Sequence, residues 1–218
     1  MNLLKTIEQK LSEGRQYRRI FNIEVRSEDD GAMIVEGYAS TFNQPYELWR
    51  DGNYIVSEQV DERAFDDADM SDVIFQYNHE GRVFARNSNG TLSITPDAQG
   101  LRIRADLSGT EIGRQLYEEI KGGYTDKMSF GFRVAEDKKE TTENRETGEI
   151  TVLRTITKIE KLYDVSAVSL PANDATSISA RSFSEGVIAE IKQELLAREE
   201  RERQKQKIRI LTEVQNGN

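Results

Sequence analysis

β-Branched and aromatic residues gather in Ile20–Arg26 and Met33–Thr41, and the polar Ser27–Gly31 between them predicts a hairpin. Short apolar runs at Val73–Tyr77, Thr91–Thr95 and Leu101–Leu107 predict three further strands, the last two joined through the turn residues Asp97-Ala98-Gln99-Gly100. Lys127–Val134, Glu149–Lys158 and Leu162–Leu170 predict three more, with a polar loop over Glu136–Gly148. The period changes at Thr110–Lys121. There Ile112, Leu116, Tyr117 and Ile120 share one helical face, Ser108-Gly109-Thr110 opens the helix and Gly122-Gly123 stops it. Many antiparallel strands with one or two interposed helices predict a barrel or a sandwich over roughly residues 17–181. No internal repeat is visible.

The C-terminal pattern is different. Val187, Ile188, Ile191 and Leu195 recur at helical spacing, and Glu194/Arg198 and Glu199/Arg203 are i,i+4 pairs with the acid first. The stripe then vanishes through Ala197–Lys207, so the segment predicts a projecting helix, a partner-binding arm or a frayed tail. Residues 182–218 carry seven basic and seven acidic residues and are neutral, so the net charge of -9 belongs to the rest of the chain. The stretch Ser57–Asp72 holds seven acids and one arginine, which suits a solvated loop or helix, or an electrostatic guide for a basic partner. The basic opening Arg15-Gln16-Tyr17-Arg18-Arg19 reads as solvated surface.

Composition narrows the function classes. Charged residues make up 32% of the 218 and mean hydropathy is -0.68, and no apolar run approaches a membrane span. An acidic pI of about 4.9 argues against direct nucleic-acid binding. The absence of cysteine excludes disulfides, thiolate zinc sites and thiol nucleophiles, and a single histidine excludes a multi-histidine metal centre. Met1–Lys10 breaks into charge before a signal core could form, so a cytoplasmic location is the expectation.

Three positions carry candidate chemistry. His79 ends a strand-like run in Asn78-His79-Glu80-Gly81, and imidazole suits proton shuttling near neutrality. Ser129 lies between Met128 and Phe130 on an apparent strand, facing either solvent or a crowded site to which Gly131 gives close access. Asp164 alternates with Leu162, Ser166, Val168 and Leu170, and a carboxylate on such a face has to be neutralised or paired, with a basic side chain or with an imidazole. Together they can form a base, a nucleophile and an orienting acid.

Four segments then resemble the prohead maturation proteases of tailed bacteriophages, a serine-peptidase family similar in fold to the herpesvirus assemblins. They are Val35-Glu36-Gly37-Tyr38-Ala39-Ser40-Thr41-Phe42, Asn78-His79-Glu80, Lys127-Met128-Ser129-Phe130-Gly131-Phe132 and Asp164-Val165-Ser166-Ala167-Val168-Ser169-Leu170-Pro171-Ala172-Asn173, supported by Gly100-Leu101 and the helix before Ser129. The resemblance implies an α+β fold, mainly an antiparallel β-barrel with a few peripheral helices plus a charged C-terminal helix. Its domains would be an N-terminal extension (1–16), the protease domain (17–181) and a helical tail (182–218) that docks on scaffold or is removed by self-cleavage.

It also implies a serine endopeptidase that trims capsid and scaffold proteins in the host cytoplasm, inside the assembling prohead, often cutting itself as well. His79 would be the general base, Ser129 the nucleophile and Asp164 the third member, with Glu36 and Glu160 as alternatives. Amides of Phe130, Gly131 or Asn173 are oxyanion-hole candidates. No metal or organic cofactor is needed. The partners would be the major capsid protein and its scaffolding region, with no membrane or direct nucleic-acid partner, and a homodimer is left open. A non-catalytic capsid-assembly protein retaining the fold is the alternative, as is a β-rich module that binds a basic ligand.

Overall fold

A computed structural model describes residues 14–27, 32–169 and 174–216. Its strands are β1 (Gln16–Ser27), β2 (Met33–Thr41), β3 (Tyr46–Asp51), β4 (Tyr54–Val60), β5 (Ile74–Tyr77), β6 (Glu80–Arg86), β7 (Leu92–Pro96), β8 (Gly100–Asp106), β9 (Lys127–Asn144) and β10 (Glu149–Val168). Among the described residues two α-helices, α1 (Glu111–Lys121) and α2 (Asp174–Asn216), complete a mixed α+β fold made mostly of strand. β1 and β2 pair antiparallel with Val25 opposite Val35, as the sequence predicts, although residues 28–31 of the turn lie outside the described residues.

The sheet runs β3–β4–β10–β9–β1–β2–β8–β7, and β5, with β6 beyond it, takes the second half of the β10 edge whose first half carries β4. The expected antiparallel barrel is therefore corrected on two counts. Both β4 and β5 run parallel to β10. Closure of the ring would need β6 paired with β7, and among the described residues that ladder is absent. The short turn Asn87–Asn89 lies between them. Asn87 turns to the start of β5, donating its N–H to the Val73 carbonyl (3.1 Å) and accepting from the Val73 N–H through Oδ1 (2.9 Å).

Helix α1 follows its capping chemistry. The Thr110 hydroxyl accepts from the Gly113 N–H at 3.0 Å, and Leu116, Tyr117 and Ile120 enter a core that includes Phe65, Phe75, Leu101 and Phe130. Each such side chain contributes about 1.5–3 kcal/mol by leaving water. Gly100 is fixed by close approach, because a Cβ there would meet the Ser40 carbonyl and lie 2.9 Å from Thr41 Cα.

Two expectations fall to tertiary pairing, and a third, the solvated acidic stretch, holds beyond Val60 but not at its start. The polar Glu136–Gly148 segment is mostly strand, since β9 continues to Asn144 against β10 and only residues 145–148 turn. The two strands expected at 149–170 are a single strand with register shifts between Ile156 and Asp164. The acidic stretch starts inside β4 with Glu58 fully buried, and beyond it Asp67, Asp69 and Asp72 pair with Lys158, Lys161 and Arg86 of this same chain. Those acids already have cations.

The chain divides into two compact units, Met1–Arg181 and Ser182–Asn218. Helix α2 begins at Asp174, ahead of the helical tail expected from residue 182. Leu196 and Ile208 stand exposed on it, and Lys205 pairs with Glu202 one turn away.

Candidate active site

The β5–β6 hairpin closes in two residues. Tyr77 pairs with Glu80, and Asn78 and His79 both take left-handed backbone angles, with φ of 52° and 59°. Two left-handed centres match the twist of a hairpin, and asparagine and histidine tolerate that region better than most side chains. Asn78 pins the turn to β10. Its N–H donates to the Ala167 carbonyl (2.9 Å), its Oδ1 accepts from the Ser169 N–H (3.1 Å) and its Nδ2 donates to Ser169 Oγ (3.2 Å). The imidazole that follows is buried, 2% exposed.

Register does the rest. Across β9 and β10, Ser129 stands opposite Ser166, and Gly131 stands opposite Asp164. His79 Nε2 lies 2.6 Å from Ser129 Oγ, and His79 Nδ1 is hydrogen-bonded to Asp164 Oδ1. Ser166 Oγ donates to the same Asp164 oxygen at 3.0 Å. The ring of Tyr17 meets the imidazole edge-on with centroids 4.5 Å apart. The three residues singled out from sequence thus form one hydrogen-bonded line, Asp164–His79–Ser129. With Asp164 Oδ1 accepting the Nδ1 proton, Nε2 is left with the lone pair that can accept from the serine hydroxyl.

The other candidates lie elsewhere. Glu36 faces Arg102 (2.9 Å) and Arg104, and Glu160 pairs with Arg133. Phe130 and Gly131 sit in β9 with β1 on one side and β10 on the other, and successive amides of a strand point to opposite sides, so one of the two serves a substrate oxygen and only if the β1 side opens. Asn173 is outside the described residues. Gly131 has a clear role. A Cβ there would collide with Asp164 Oδ2 and come within 2.9 Å of Tyr17 Cε1, so the missing side chain makes room for the acid.

A buried charge cluster beside the site was not visible in the sequence. Glu58 (0% exposed) takes both Nε (2.5 Å) and Nη2 (3.0 Å) of Arg18, Nη1 of Arg154 (2.7 Å) and the Tyr46 hydroxyl (2.6 Å). Arg154 also reaches Asp137. Burial alone would raise the Glu58 carboxyl, but Arg18 and then Arg154 outweigh it and hold the group below its ordinary value. Burial and the neighbouring Glu58 carboxylate push the Tyr46 phenol well above its ordinary range. The expectation that Arg15–Arg19 is solvated surface fails at Arg18, which is 1% exposed. Nothing in a local window of sequence pairs residue 18 with residue 58. Arg18 also touches the serine, because its carbonyl accepts from Ser129 Oγ at 2.9 Å. One hydroxyl proton therefore faces two acceptors, that carbonyl and His79 Nε2.

A family model described as caudovirus prohead serine protease matches residues 21–193, a span that contains His79, Ser129 and Asp164. The chain belongs to the caudovirus prohead serine protease family. Residues 16–20, the start of β1, precede the matched span. The solved capsid assembly protease of bacteriophage T4, gp21, is similar to the chain at a TM-score of 0.39 and 12% identity, over 71% of this chain and 98% of that one. No curated protein matches the chain.

Proposed function

We propose that this chain is a serine endopeptidase that processes capsid and scaffold proteins inside the assembling prohead, through an acyl-enzyme formed on Ser129. The observation that carries the reading is the unbroken line from the Asp164 carboxylate through His79 to the Ser129 hydroxyl, with a serine–imidazole separation of 2.6 Å. His79 takes the hydroxyl proton as Ser129 Oγ attacks the scissile carbonyl carbon. Asp164 holds the imidazole in the tautomer that can do so and stabilises the imidazolium. The proton then passes to the leaving amine, and water on the same path releases the acyl group. Donors to the developing oxyanion supply about 2.7–4 kcal/mol each, and the proposed one is whichever of the Phe130 and Gly131 amides points to the β1 side. Helix α2, with its charged and largely exposed surface, is proposed to dock on scaffold or coat protein.

Intact-mass spectrometry of wild type, Ser129→Ala and His79→Ala, each co-expressed with the capsid precursor, tests this. Wild type is expected to shorten itself or the precursor, and both variants to leave full-length masses, their rates reduced on the order of 10⁶-fold. Cutting by Ser129→Ala at the same bonds would remove Ser129 from the role.

A further inference from the structure

Ser129 is 0% exposed, and what covers it on one side is the start of its own chain. β1 has two halves with different partners. Ile23–Ser27 pairs with β2, whereas Gln16–Asn22 pairs with β9, the strand that bears Ser129, and the register slips between Arg19 and Phe21. The front half is thus held by ladder hydrogen bonds to one strand, as an extended peptide is held when it adds to a sheet edge. It also lies mostly ahead of the residues that the family model matches.

The position of Arg18 is specific. Its carbonyl oxygen sits 2.9 Å from the serine Oγ. Its guanidinium forks onto Glu58, in a closed pocket to which Tyr46 and Phe132 contribute, the Phe132 ring lying 5.6 Å away. A bidentate arginine–carboxylate pair selects by shape as well as by charge.

We propose that Gln16–Arg18 occupies the substrate strand of the site, that the substrates are extended peptides with a basic side chain immediately before the cut bond, and that Glu58 selects that side chain. This rests on the serine-peptidase reading above. In a substrate so placed, the Ser129 Oγ bonds to the carbonyl carbon of the basic residue and the C–N bond to the next residue breaks. The hydroxyl proton moves through His79 to the departing amine. Water then hydrolyses the ester, returning a carboxylate and the free serine. In the resting chain, the Arg18 oxygen accepts the serine hydroxyl instead, and the segment competes with substrates in trans.

The test uses full-length wild type, Ser129→Ala, Arg18→Ala and Glu58→Gln. Each is incubated with a peptide pool made by cutting a denatured proteome after glutamate, and products are read by tandem mass spectrometry. The cuts that Ser129→Ala abolishes are expected to follow arginine or lysine. Arg18→Ala is expected to raise their rate roughly tenfold by weakening the competing strand, with the bond preference unchanged. Glu58→Gln is expected to reduce the preference for arginine over neutral residues about tenfold. If Glu58→Gln does not fold, Glu58→Asp keeps the charge but withdraws it by a methylene, and the same preference should weaken. A buried ion pair with a purely structural role would alter stability and leave the residue before the cut unchanged. Ser129-dependent cuts without a basic preference overturn the inference and leave the peptidase reading standing. No cuts by any of the proteins, or the same cuts from Ser129→Ala, overturn both.

Discussion

Gly131 has the least to offer chemically of any residue at the site, yet it has little freedom to change. In sequence it reads as a point of close approach for substrate or backbone. In the structure the neighbour that needs the space is the Asp164 carboxylate, with the Tyr17 ring behind it. Gly131→Ala is expected to push Asp164 off the imidazole and slow peptide cleavage on the order of 10²-fold. The accompanying stability loss should be about 1–3 kcal/mol, read by thermal melting alongside the rate. Full activity in that variant would mean that Asp164 does not need its observed position. His79, Ser129 and Asp164 were legible because each sits in a short motif with its neighbours in order. Ser166 was not. A second serine two places along a strand looks like alternation, and only the fold shows it donating to the acid.

At the scale of elements, the two-residue turn Asn78–His79 sets where the imidazole goes. Asn78→Ala removes two side-chain hydrogen bonds to Ser169 and places alanine in a left-handed conformation that disfavours it by about 1–2 kcal/mol. Melting is expected to fall by about 2–4 °C per kcal/mol lost. Asn78→Gly should recover the backbone part alone, and comparing the three melting curves separates the contributions. Strands with clean apolar runs, such as β2, β5 and β8, and the amphipathic α1 were readable from the sequence. β3, β4 and β6 were not, because Glu47, Arg50 and Asp51, Glu58, and Glu80, Arg82 and Arg86 respectively break the run with charge. The outer part of β9 was missed for a related reason. Asp137–Asn144 is polar throughout and becomes strand because β10 provides a ladder partner.

Across the whole molecule, the Glu58 cluster ties β1, β4 and β10 together through charges far apart in sequence. Charged residues in a local window predict solvent, which is why this part of the interior could not be read in advance. Its signature is acid sensitivity. The Glu58 carboxyl is held below its ordinary value of 4.5 in the folded chain, so its contribution is complete above about pH 4.5 and is lost as pH falls through the lower folded value. Asp72 and Asp97, held low by Arg86 and Tyr38, act in the same direction. Denaturant titrations are expected to show stability dropping below about pH 4.5. Glu58→Gln should be about 3–5 kcal/mol less stable at neutral pH but flatter in acid. A wild-type curve that stays level to pH 3 would argue against a charged Glu58. The chain also has a single imidazole, and it lies against both Ser129 and the strand that covers it. Every histidine resonance in a magnetic-resonance spectrum of this protein therefore comes from one ring. Opening and protonation of the site, and the acylation proposed for Ser129, can all be followed as movements of one signal, with no assignment to make.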